Sequence, residues 1–82
     1  MAGLRLAEPV QVADKRDGFF PRVFVWRGRR HDVRAVVACR TENRRGQVRR
    51  HLFRVRTDRA LFELAQDVAR DQWRLEQMWA AE

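Results

Sequence analysis

Asp17-Gly18-Phe19-Phe20-Pro21-Arg22-Val23-Phe24-Val25-Trp26-Arg27-Gly28 is the stretch that decides the fold. A β-rich apolar run stands here between two turn signals. Asp-Gly readily takes the positive φ angles of a type I′ turn, so Asp17-Gly18 reads as the tip of a hairpin. Pro21 cannot donate a ladder hydrogen bond and belongs at the start of the strand or on an edge. The apolar run from Val23 to Trp26 places side chains on both faces of a sheet, as in a strand buried twice.

Working upstream, Val10-Gln11-Val12 alternates apolar and polar as a half-buried strand does. Residues 1–8 lack periodicity and read as a loose lead-in, which leaves residues 9–80 as one β-rich domain. Downstream, Arg27-Gly28-Arg29-Arg30 reads as a type II′ turn with Gly28 at its first central position. A third strand is expected from His31 to about Arg40, with Val33, Ala35, Val37 and Cys39 on one face and Arg34, Val36, Ala38 and Arg40 on the other. Thr41 to Gln47 is a polar loop. From His51 to Thr57 alternation resumes: Phe53 and Val55 point one way, and Arg50, Leu52, Arg54 and Arg56 the other.

Residues 60–79 admit two readings. Leu61, Leu64, Ala65, Val68, Leu75, Met78 and Trp79 fall near one helical stripe, and no Gly or Pro interrupts them. The stripe lapses at Asp71 and Gln72, however, and Phe62 and Trp73 lie off it. The alternative is two strands joined by a turn over residues 67–71. The expected architecture is therefore mainly β: a single strongly curved antiparallel sheet or partly open barrel of five to six strands. A helical C-terminal segment gives the α+β alternative.

The chain has 82 residues, 45% of them hydrophobic, which suffices for one small core and excludes large enzyme folds such as the eightfold barrel. Five Phe and three Trp make wholesale disorder implausible despite 35% charged residues. No apolar run approaches a membrane span, and the N-terminus carries no signal-peptide pattern; a cytoplasmic protein without membrane association is the expectation. The single cysteine, Cys39, excludes an internal disulfide framework.

Lysine and arginine total 18 against 11 acids, a net charge of +7, and Lys15 is the lone lysine. The charge is segregated. Residues 22–59 hold 13 arginines and three acids, net +10, whereas the rest of the chain is net −3. Such a field attracts phosphate. An arginine-rich composition also arises in GC-rich genomes, and that explanation accounts for the missing lysines better than for the clustering.

Catalytic machinery has no candidate. His31, Cys39 and His51 form no close-spaced metal-ligand pair, and Cys39 shares a strand face with apolar residues, as an inert core thiol does. No glycine motif cradles phosphate. A non-enzymatic protein without metal or cofactor is expected. The basic residues differ: Arg27, Arg29, Arg30 and His31 crowd one turn, Arg34 follows, and Arg50, Arg54 and Arg56 form a stripe. Guanidinium groups pair bidentately with phosphate and stack on bases, so these eight residues are the candidate nucleic-acid contacts. The competing assignment is a solvated face neutralised by Glu63 or Glu76. Trp26 is either a base-stacking platform or part of the core with Phe24, Phe53, Trp73 and Trp79.

The segments Phe24-Val-Trp-Arg-Gly-Arg-Arg-His-Asp-Val33, Phe53-Arg-Val-Arg-Thr-Asp58, Phe62-Glu-Leu64 and Trp73-Arg-Leu-Glu76 resemble a family of small bacterial β domains of unknown function. The resemblance spans about residues 9–79. It implies a largely β fold and an association with Y-family DNA polymerases and the damage-tolerance mutasome, with a polymerase or another mutasome protein as partner. The closing segments are also similar to the C-terminal tail of the mutasome's inactive polymerase homologue. The resemblance favours a hairpin for residues 60–79, although Ala60, Ala65 and Ala80 replace a turn glycine, an aromatic and an aspartate of the family pattern. Function is thus expected to be DNA binding through the arginine-rich face in damage tolerance. Docking on a polymerase or replication partner, association with RNA, and dimerisation through a strand edge are the alternatives.

Overall fold

The computed structural model describes residues 3–80. Seven strands form one antiparallel sheet: β1 (Leu4–Arg16), β2 (Phe20–Trp26), β3 (Arg29–Asp32), β4 (Ala35–Arg44), β5 (Gln47–Arg56), β6 (Ala60–Asp67) and β7 (Gln72–Ala80). Their spatial order is β3-β2-β1-β7-β6-β5-β4. The two outermost strands are consecutive in sequence.

The expected count of five to six strands is thus corrected to seven, and the third strand is where it fails. His31 to Arg40 does not run as one strand. It breaks at Val33-Arg34, so that β3 pairs with β2 and β4 with β5. At the break, the Val33 amide donates to the Arg22 carbonyl at 2.9 Å and the Arg34 amide to the Arg56 carbonyl at 2.7 Å. One amide bonds toward each edge. β1 bends as well: Leu4 to Val10 pairs with β7, and Gln11 to Arg16 with β2.

Residues 60–79 form the β6–β7 hairpin, and the helical alternative is set aside among the described residues. The two positions off the helical stripe explain why. Phe62 and Trp73 are 1% and 7% exposed in the core, and Leu64 sits opposite Leu75, both fully buried. A helix would have stranded these two aromatic side chains away from its apolar face.

The lead-in is corrected too, for residues 4–8, which form the first part of β1; Met1 and Ala2 lie outside the described residues. A bulge between Arg5 and Glu8, with Ala7 at φ 51°, breaks the alternation that would have marked the strand.

Three hairpin turns share one chemistry. Asp17-Gly18, Arg27-Gly28 and Arg45-Gly46 all have both residues at positive φ, the type I′ pattern. For Arg27-Gly28 this replaces the expected type II′ turn, because the glycine occupies the second central position. The β5–β6 turn needs no glycine: Thr57 Oγ1 accepts from the Arg59 and Ala60 amides and donates to the Ala60 carbonyl.

The core lies inside the curved sheet and is built largely from aromatic rings. Near the β1–β2 turn, Phe19 packs on Phe53 and His51, and Phe53 on Trp73, with centroids 5.0 to 5.4 Å apart. Near the β2–β3 turn, Phe24 stacks on His31 at 4.9 Å and meets Phe62 edge-on at 5.2 Å. Each fully buried Phe contributes roughly 2 to 3 kcal/mol by transfer from water. Pairing thus fixes two ends of the molecule, one at each set of turns. Cys39 is exposed on β4, not part of the core. A register shift between Val36 and Ala38 turns Val36 inward in place of Val37, which is 46% exposed.

Candidate nucleic-acid interface

The arginine stripe lies on the outer face of the sheet and meets acids there. On β5, Arg50 donates to Glu42 on β4 at 3.0 Å and to Glu76 on β7 at 2.8 Å. Arg54 contacts Glu63 at 3.2 Å and lies over the Trp79 ring at 4.8 Å. Antiparallel register dictates these encounters, since Arg50 sits opposite Glu42, and Arg54 opposite Glu63.

The turn cluster is neutralised in the same way. Arg27 makes a bidentate pair with Glu8 through Nε at 2.9 Å and Nη2 at 2.6 Å. Glu8 also accepts the Trp26 indole N–H at 3.0 Å. The Arg27 and Trp26 hydrogen bonds hold the Glu8 carboxyl below its ordinary pKa. Arg34 pairs bidentately with Asp58 at 2.8 and 3.0 Å, which lowers the Asp58 pKa, and Arg30 contacts Asp32 at 3.0 Å. Among the seven arginines read from sequence as contacts, Arg27, Arg30, Arg34, Arg50 and Arg54 therefore have carboxylate partners. Arg29 and Arg56 have none among the described residues.

His31 is 6% exposed and is a core ring, not a surface contact. Burial, and then the charges of Arg59 and Arg29, push its pKa below 6.5, so it is neutral at pH 7. Trp26 is half-buried against the core, with Arg27 over its ring at 4.6 Å. Arg27 and the core thus hold the Trp26 ring and leave part of it exposed.

Apart from Arg56, sequence reading missed the arginines around β5 that find no acid. Arg44, Arg45 and Arg49 crowd the β4–β5 hairpin end, Arg56 closes β5, and Arg59 lies in the next turn; all five are exposed, with no carboxylate partner among the described residues. The Val68 amide donates to the Arg49 carbonyl at 3.1 Å, which brings the turn bearing Arg70 to the same end. The signal was available: no Asp or Glu occurs between Glu42 and Asp58.

No three His, Cys, Asp or Glu side chains group as metal ligands among the described residues. The exposed Cys39 thiol has its pKa raised by desolvation, opposite to an activated nucleophile.

A family model described as a domain of unknown function (DUF6504) matches residues 1–80. The chain belongs to this family. Comparison with curated proteins and with solved structures gave no match. Within this DUF6504 member, the β domain predicted from resemblance is present over nearly the full match, and the arrangement of basic side chains is the feature on which a function is built.

Proposed function

We propose that the protein is a non-enzymatic module that binds nucleic acid through arginines left without an acidic partner. The carrying observation is two groups of such arginines at the two ends of β5, Arg44, Arg45 and Arg49 at one and Arg56 and Arg59 at the other. Desolvating a guanidinium already paired to a carboxylate forfeits that pair, whereas an unpaired one gains on meeting phosphate. The expected order of importance is thus the reverse of a simple arginine count. β5 has ten residues, roughly 30 Å of strand. At about 3.4 Å per base step this corresponds to a footprint of about nine base pairs.

The preference for DNA and a role in damage tolerance beside a Y-family polymerase rest on the resemblance of the Trp26–Asp32 hairpin and the closing strands to domains of that association. A salt titration of duplex DNA binding tests the reading. Neutralising about four to six phosphates gives a log–log slope of about −3.6 to −5.4. A flat salt dependence refutes it. RNA bound more tightly than DNA of equal length transfers the role to an RNA-associated factor.

One observation favours docking as a second reading. β4 is an edge strand whose outer side faces no other strand beyond the Val33-Arg34 corner, and it exposes Val37 and Cys39. Capture of a polymerase partner that persists after nuclease treatment supports docking, and loss on treatment supports nucleic acid.

A further inference from the structure

The end of the molecule at the β2–β3 and β5–β6 turns opens into a pocket of about 440 Å³, within the range of small-ligand sites. Trp26, His31, Phe62 and Met78 line it, and Arg29 and Arg59 stand at its edge. The three rings form an aromatic cluster: His31 and Phe62 are 5.2 Å apart, and Trp26 lies 6.1 Å from each. Strand order explains why they meet. The curvature that joins the sheet's two edges lays β2 and β3 across β6 and β7, so rings from distant parts of the sequence share one cavity.

Two properties narrow what this pocket accepts. Its lining is largely apolar, and Trp26 and Met78 in it are only partly buried. Two of its three arginines, Arg29 and Arg59, have no carboxylate partner among the described residues, a pair that repels cations and attracts an anion. The third arginine lining it, Arg27, is already held by Glu8. His31 adds no positive charge at neutral pH, and its Nε2 has no hydrogen-bond partner although it is shut off from solvent. A buried imidazole without a partner is costly in a finished core.

We infer that this pocket receives one unpaired nucleotide of a single strand, its base against the partly exposed Trp26 and Met78 and its phosphate between Arg29 and Arg59. The inference rests on the nucleic-acid reading and sharpens it. Arg59 belongs to the group at the far end of β5, so a strand that bridges the two groups ends at the pocket. A base in a duplex is stacked on both sides and cannot enter. The pocket therefore confers a preference for single strands that the backbone contacts do not.

The test compares a fluorescent 12-nucleotide oligothymidylate with a blunt duplex of equal length, by anisotropy at fixed salt. Ala80 is exposed and lines the pocket, so Ala80→Phe fills it without touching the core. Base–aromatic stacking is worth about 1 to 3 kcal/mol, which corresponds to roughly 5- to 150-fold in affinity. Wild type should bind the single strand more tightly than the duplex, and Ala80→Phe should weaken the single strand at least about fivefold with duplex affinity unchanged. Arg59→Gln should weaken the single strand more than the duplex, and an unchanged near-ultraviolet dichroism spectrum shows that each variant is folded. Equal losses on both ligands, or no loss in Ala80→Phe, overturn the pocket while the nucleic-acid reading stands. No binding of either ligand overturns both.

Discussion

Asp32 ends β3 at one edge of the sheet, and Ala35 opens β4 at the other. Three chain steps span at most about 11 Å, so the two edges must approach at this corner and the sheet must curl. Covalent connectivity, rather than side-chain preference, imposes the curvature. The aromatic core and the pocket both follow from it.

Arg34→Pro tests the corner. It removes the amide that bonds the Arg56 carbonyl at 2.7 Å, whereas Arg34→Ala removes only an exposed pair with Asp58. Arg34→Pro should lower stability by about 1 to 3 kcal/mol and Arg34→Ala by much less. Urea midpoints decide, and similar losses would show that the corner bond is dispensable.

Thr57→Val keeps shape but deletes the hydroxyl that satisfies two turn amides. Thr57 is 6% exposed, so those amides lose a partner in a buried setting. A loss of about 1 to 3 kcal/mol is expected, with Thr57→Ser closer to wild type. Thermal denaturation of the three proteins measures it.

His31 should make stability fall on mild acidification. Its native pKa is lowered by burial and by Arg59 and Arg29, against a favourable Asp32 charge, so its full contribution is present above pH 6.5. Below that the unfolded chain binds the proton first, and stability declines until the native pKa is passed. His31→Phe retains the stack on Phe24 and should flatten the decline below pH 6.5. Denaturant midpoints of both proteins across this range would contradict the assignment if their slopes matched.

Arg45→Ala and Arg49→Ala should each reduce the salt slope of DNA binding by about 1, the loss of one phosphate contact. Arg54→Ala, already engaged by Glu63 and Trp79, should change it by less than about 0.5. The opposite ranking in fluorescence titrations at several salt concentrations would return the interface to the sheet face.

Local features were legible. Asp17-Gly18 announced its hairpin because an Asp-Gly pair adopts positive φ cheaply, and alternation at Phe53 and Val55 named the core face correctly. Ala60 misled, since the turn it enters is held by the Thr57 hydroxyl rather than by a glycine. Val37 misled because a bulge turns Val36 inward in its place, and Cys39, although opposite Phe53, is exposed because β4 is an edge strand. Of the candidate site, the sequence supplied the basic side chains but not their state of pairing.

Taken alone, the sequence determined a mainly β domain, a basic middle and the positions of its tight turns, because turn chemistry and period-two alternation act between near neighbours. Tertiary structure alone decided which arginines are neutralised and where the aromatic pocket lies. Glu76 meets Arg50 across 26 positions, and Trp26 meets Phe62 across a curled sheet. Such partners are set by strand order and register, and those depend on how the whole core closes.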